Sequence, residues 1–570
     1  MKYLKDKKFL IVISVIISFF QVIISLYQPK LVAKVIENLN IFDANGQIIS
    51  NQEGINYYAT LVIIVGFVGL VLGIINTICS SRLSMYVSTK LREEVFLRVQ
   101  EFSYEQIEKF SVSHLIVRLT NDINQIQNIV MAIFQMLIRM PLMFIGAIYF
   151  TISSTPSLWW TTFLYIVIII IIMAIMMRII LPKFKIISKS NDKITTIIKE
   201  NVDGARVVKS FVQEKRESER FEKEVAIFTE NFKKTGYTFG IMVPAFTLVA
   251  NLIIVLVIYL MADIGLENPE MIANIVSFSQ YIMILMFTVV SGGFMLNQLG
   301  RAMVSNKRIN EVLDVIPDKQ SGSIILENFE SLEFENVSFK YQAAEDYSLK
   351  DLNFSINKGE KVGIIGMSGS GKSTLVQMIP GLLRPTKGKI LINGYDEKEY
   401  DEKSLLQKIA IILQKANLFS GTIKDNLLHG NENGTTQEIE LASKMAQAYE
   451  FIEKKDNHFD EEVYQKGANF SGGQKQRLSI ARALMKKPEL LIFDDSTSAL
   501  DAKSEGLIKD VIYNDLKEIT CIIVAQKISS IVECDKIIVL NDGMIENIGT
   551  HNELLEKSAL YQEIYETQKE

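Results

Sequence analysis

The sequence predicts a chain in two parts of different fold class: an α-helical membrane domain of six spans, then a soluble α/β domain built around a phosphate-binding loop. Three observations carry that prediction. Apolar runs long enough to cross about 30 Å of hydrocarbon recur six times in the first half. From about residue 324, short β-rich runs alternate with helical ones. One of those runs opens "KVGIIGMSGSGKSTLVQMI", which contains Gly366-x-x-x-x-Gly371-Lys372-Ser373. With 570 residues, 48% hydrophobic and 22% charged, the chain is too long for one soluble domain and too charged to lie wholly in lipid. A net charge of −5 argues against nucleic acid as a partner. Cys79, Cys521 and Cys534 lack metal-ligand spacing, so neither a disulfide framework nor a zinc site is expected.

The spans fall near residues 9–30, 57–80, 131–153, 158–180, 240–262 and 271–295. The first, behind "MKYLKDKK", has no small-residue cleavage site and reads as a retained membrane helix. The connections "ENLNIFDANGQIISNQEGIN" and "DIGLENPE" carry acids and no Lys or Arg, which places them outside by the positive-inside rule. Segments 81–130 and 181–239 are long, polar and helical in their apolar spacing, and read as membrane helices continuing into the cytosol and turning back. Each contains a break, in "IEKFSVSHLIVRLTNDI" and "ENVDGARVVKSFVQEKRESERFE", where a short cross-helix fits. Arg139, at the start of the third span, reads as an arginine snorkelling to the cytosolic interface rather than a substrate contact. The domain plan is 1–302 for the membrane part, 303–323 for a linker and 324–570 for the α/β part.

The phosphate loop has its expected context of strand, glycines and helix start. Its backbone N–H groups, across Gly366, Ser368, Gly369, Ser370 and Gly371, can turn toward phosphates, and Lys372 can reach the outer ones. Ser373, followed by Thr374, would then ligate Mg²⁺. About 120 residues on, Ser471-Gly472-Gly473-Gln474 opens a helix and offers a second anion site. After that helix the strand "LLIFDD" ends in two aspartates.

In this order the motifs resemble the nucleotide-binding domain of an ATP-binding cassette (ABC) transporter over 324–570, and the six spans resemble an exporter-type (type IV) half-transporter. The resemblance implies ATP hydrolysis coupled to transport across a cell membrane, with the nucleotide-binding domain in the cytosol. It implies that Tyr341 stacks on adenine, that Gln414 and Asp494 join Ser373 around Mg²⁺, and that Ser498 to Asp501 face a second nucleotide domain. The two cross-helices would be coupling helices. In this family two nucleotide domains close head to tail, each ATP lying between one chain's phosphate loop and the other's signature.

Two residues depart from the pattern in one site. Asp495 stands where the family has a catalytic glutamate, which withdraws the carboxylate by about 1 to 1.5 Å and can cost on the order of a hundredfold in rate. Gln526 stands where the family has a histidine, and glutamine can donate a hydrogen bond but cannot become cationic. The signature keeps Ser-Gly-Gly-Gln, with Phe470 for leucine, and Tyr464 and Gln465 replace the usual Gly-Glu. This combination resembles the degenerate chain of heterodimeric bacterial multidrug exporters, and implies a partner half-transporter with Glu and His in its own site and an apolar or amphipathic cargo. A lipid flippase, a peptide exporter, a homodimer with slow sites and an ATP-gated channel-like protein share these motifs.

Overall fold

The computed structural model describes residues 2–39, 41–42, 48–265, 269–317, 322–341 and 344–569. Residues 40, 43–47 and 266–268 of the two acidic connections, and 318–321 of the linker stretch, lie outside the described residues. The chain divides into two compact units, Met1–Gln100 with Val112–Ile316, and Glu101–Ser111 with Pro317–Glu570.

Among the described residues of the first unit, six helices are long and apolar enough to cross a membrane. They are α1 (Lys8–Leu39), α2 (Gln52–Gln100), α3 (Arg139–Ser154, the last part of a helical run from Val112), α4 (Trp159–Asp203), α5 (Glu214–Gly265) and α6 (Pro269–Leu313). At 49 residues, α2 is about 74 Å long and outreaches any bilayer core. Short helices sit at both expected breaks. Tyr104–Phe110 ends at Ser111 with a left-handed φ of 55°, and Ala205–Ser210 follows Gly204. The run leading into α3 contains a π-turn at Ile133–Leu137. Pro141, four residues beyond Leu137, has no N–H to return an α-helical bond to that carbonyl, and the helix widens there.

Lipid tails are as apolar as leucine, so these helices are held by close packing and interhelical hydrogen bonds. Leu26 fits against Gly146, where a Cβ would meet Leu26 Cδ1. Tyr281 donates to Leu26 O at 2.7 Å and stacks on Phe150. Ser14 donates to Asn76 Oδ1 at 2.9 Å, and Asn76 donates to Gln21 Oε1 at 3.4 Å, joining α1 to α2. Ser305 donates to Asp122 at 2.6 Å, fixing α6 against the run before α3. The sequence from Arg301 to Leu313 has no Gly or Pro and buries Ala302, Ile309 and Val312 along one stripe, so α6 continues into the stretch read as linker from residue 303.

The second unit is built on a six-stranded sheet. Its strands are β3 (Lys361–Gly366), β6 (Ile409–Ile412), β7 (Leu490–Asp494), β8 (Thr520–Val524), β9 (Lys536–Asn541) and β10 (Met544–Gly549), in the order β10-β9-β3-β8-β7-β6. All neighbours are parallel except β9 and β10. Strands β3, β7 and β8 are buried at every residue, as unbroken apolar runs in a doubly covered parallel sheet must be. A smaller antiparallel sheet is formed by β1 (Ser331–Phe339), β2 (Leu349–Asn357), β4 (Lys387–Ile392) and β5 (Tyr395–Asp396).

Just past β5, Glu397 is buried and neither carboxylate oxygen has a hydrogen-bond partner among the described residues. Burial pushes its pKa from 4.5 up to about 8, with Arg384 and Lys398 only partly opposing. Between those two values the folded state keeps a proton that the unfolded chain has lost. The stabilising contribution is therefore full below 4.5 and disappears as pH rises through about 8. Glu397→Gln is expected to match the parent near pH 5 and exceed its stability at pH 9 by at least about 1 kcal/mol. Unfolding followed by a fluorogenic maleimide on buried Cys521 and Cys534, in a Cys79→Ser background, measures it; equal midpoints at pH 9 would refute it.

Candidate functional site

Strands β7, β8 and β3 lie side by side and parallel, so their carboxyl ends meet along one edge, and the candidate residues hang from it. After β3 the loop turns through Gly369 and Gly371, with φ of 86° and 96°, into helix α7 (Lys372–Met378). A Cβ at Gly366 would sit 2.1 Å from Leu540 O, and one at Gly371 would sit 2.6 Å from Leu349 Cδ2, so both positions require glycine. Lys372 Nζ donates to Gly366 O and Met367 O at 2.9 and 2.8 Å, lying over the loop. Burial lowers its pKa, against the raising influence of Asp495 and Asp494. Ser370 Oγ is buried inside the loop without a partner among the described residues, and Ser368 and Gly369 are exposed.

Ser373 Oγ donates to Asp494 Oδ1 at 2.8 Å. Burial raises the Asp494 pKa; the Ser373 bond opposes that, Asp495 adds to it and Lys372 subtracts. A hydroxyl and a carboxylate in contact are hard oxygen donors that fit Mg²⁺, and Gln414 is tied to the adjacent Asp495. The glycine cradle, the orphaned Ser370 hydroxyl and Lys372 fit a polyphosphate. Tyr341 packs edge-on against Phe339 with its hydroxyl 3.1 Å from Thr374 Oγ1, which sets its ring beside the start of α7.

Asp495 is buried, left-handed at φ 48°, and tied by its N–H to Val524 O at 3.1 Å. Its Oδ2 accepts from Gln414 Nε2 at 2.8 Å and from Gln526 Nε2 at 2.7 Å. Both lone-pair directions of that oxygen are thereby filled, and Oδ1 alone is left for another donor. The two departures noted in the sequence touch each other.

The Ser471 to Gln474 segment opens helix α8 (Gly472–Met485) as a capping box: Ser471 Oγ accepts from Gln474 N at 3.3 Å and Gln474 Oε1 accepts from Ser471 N at 2.9 Å. Gly472 is exposed, and Phe470 is buried in the domain core. Asp501 caps the helix at Ala502–Asp510, accepting from Ser504 N and Oγ at 2.9 and 2.8 Å, and those bonds hold its carboxyl below the usual range. The structure thus joins Lys372, Ser373, Asp494, Asp495, Gln414 and Gln526 into one cluster, while no direct hydrogen bond ties Ser471 to Gln474 to it. Sequence reasoning missed Gln568, whose amide accepts from Ile528 N at 2.8 Å and donates to Gln526 O at 2.7 Å. No local pattern marks a residue that acts across more than forty positions of chain.

Comparison with known proteins places these features. The "ABC transporter transmembrane region" family model matches residues 11–289, and the "ABC transporter" model matches 349–498. The "Uncharacterized ABC transporter ATP-binding protein YfiB" of Bacillus subtilis is 32% identical over all of this chain and 98% of its own length. A "Putative multidrug export ATP-binding/permease protein" of Staphylococcus aureus is 29% identical over 100% of this chain and 99% of its own. A solved bacterial Atm1-family ABC exporter with ATP bound has the same fold, with a TM-score of 0.81 at 22% identity, covering 100% of this chain and 99% of that one.

Replacing Gln568 by alanine removes one acceptor from Ile528 N–H. Amide exchange at Ile528 is expected to quicken about fivefold, with β8 unchanged. Deuterium uptake of the full chain reads this, and unaltered exchange would show that the contact carries no local stability.

Proposed function

From a chain that belongs to the ABC transporter family, a multi-pass membrane protein whose cytosolic domain couples ATP hydrolysis to transport, we propose the hydrolysis-poor half of a heterodimeric exporter of amphipathic compounds. The observation that carries this reading is the mutual hydrogen bond of Asp495 and Gln526, 2.7 Å long, beside an intact phosphate loop. The loop, Lys372, Ser373, Gln414 and Asp494 would hold nucleotide and Mg²⁺, the metal supplying charge neutralisation at the phosphates when bound. Tyr341 offers a ring for the base.

Orienting the attacking water is where this chain falls short. The side chain of Asp495 is one methylene shorter than the glutamate of the family pattern, and its Oδ2 is engaged by two glutamine amides. Gln526 cannot supply a positive charge to the γ-phosphate. Nucleotide held at this site keeps the two nucleotide domains together, and the signature at Ser471 to Gln474 completes an active site on the partner's phosphate loop. Hydrolysis there resets the pair. Differential affinity of ATP for the closed form drives the change of access. The multidrug-export name of the Staphylococcus aureus relative supports an amphipathic cargo.

Purified alone in lipid, the chain is expected to bind Mg-ATP tightly with almost no turnover; robust turnover abolished by Asp495→Asn would refute the proposal in favour of a homodimer. Asp495→Glu with Gln526→His together should raise turnover on the order of a hundredfold. The effects should be strongly non-additive, since each single change leaves the other residue mismatched. In the assembled pair, Lys372→Ala should remove trapped nucleotide from one of two sites. Equal loss at both would contradict the asymmetry.

A further inference from the structure

The Arg139 side chain turns to a neighbouring helix. Its Nη2 donates to Ser25 Oγ of α1 at 3.2 Å, and neighbouring Ile24 and Leu26 pack on Gly69 and Gly146, both well inside apolar runs. Along the chain it is the one charged residue between Asp122 and Arg178, and Asp122 lies about 25 Å away along the helix. Among the described residues no carboxylate pairs with it. A guanidinium with a single neutral partner at that depth is costly unless something else meets it.

Two cavities share Gln135, Met136 and Arg139. One, of about 580 Å³ and the more polar of the two, has Gln21, Asn76 and Thr77 on its walls beside Leu70, Ile74 and Ile78. The other, of about 260 Å³, is apolar, with Met140, Met143 and Phe287. Neither is lined by an acid. The π-turn at Ile133–Leu137 carries Gln135 and Met136 to this junction, and π-turns of this kind favour functional sites.

We propose that Arg139 is the anchor of a binding site for amphipathic anions: a carboxylate or phosphate head lies against the guanidinium and the amides of the polar cavity, and an apolar tail lies along the methionines of the other. The planar guanidinium pairs with either head bidentately, and flexible thioethers accept tails of varied shape. This deepens the proposed export function, and rests on it only for what the site is used for. The occupant is either a free amphiphile or a membrane phospholipid, which share this head chemistry.

The test measures direct binding to the full chain in phosphatidylcholine nanodiscs, using one fluorescent twelve-carbon tail with three heads: carboxylate, alcohol and primary amine. The carboxylate is expected to bind about tenfold more tightly than the alcohol, and the amine no more tightly than the alcohol. Arg139→Gln should abolish that preference while leaving the alcohol within about twofold, and Arg139→Lys should restore part of it. Equal binding of all three heads by the unaltered chain overturns the proposal whether or not a variant folds, as does a preference that survives Arg139→Gln. So does loss of the preference in the assembled pair, which would mean that a partner acid occupies Arg139. Nanodiscs of phosphatidylglycerol separate the two sources: weakened carboxylate binding that depends on Arg139 identifies lipid phosphate as the occupant, and unchanged binding identifies a free amphiphile. Absence of export with the head preference intact would sink the transport reading and leave this site standing; export without any preference would do the reverse.

Discussion

Three parallel strands of one sheet end side by side, and the chemistry of the cytosolic domain depends on that edge. Because β8 lies between β3 and β7, in register with both, the phosphate loop and the two aspartates emerge next to Gln526. The strands are buried at every residue, so their lengths and register are set by the core rather than by what leaves them. The hydrogen bonds from Ser373 to Asp494 and from both glutamines to Asp495 are within ordinary range.

The membrane domain solves a different problem. Water gives its helices no reason to associate within lipid, so shape and polar contacts carry the packing. Leu26 against Gly146, Tyr281 on the Leu26 carbonyl and the Ser14, Asn76 and Gln21 chain join α1 to α2, α3 and α6. Arg139 differs from these, since a neutral hydroxyl satisfies little of a guanidinium with five donors.

The sequence made the membrane spans legible because lipid demands long apolar runs, and the phosphate loop legible because its glycines have fixed spacing. The apolar runs at the start of the phosphate-loop segment and before the two aspartates are strands, Lys361–Gly366 and Leu490–Asp494. What stayed hidden was relational. Asp495 and Gln526 are thirty-one positions apart, and only strand order brings them together. The direction taken by Arg139 depends on where Ser25 falls on another helix, which periodicity does not encode. Helix α6 passes residue 303 because a buried stripe outweighs the polar composition that suggests a linker.

The contact between Asp495 and Gln526 also constrains how such a site changes over generations. Lengthening Asp495 to glutamate alone drives its carboxylate toward an amide already at 2.7 Å, and exchanging Gln526 for histidine alone replaces a flexible amide donor to Oδ2 by a rigid ring whose N–H must reach the same oxygen. Each single exchange alters what the other residue must supply, so the two positions are coupled and are expected to change together rather than one at a time.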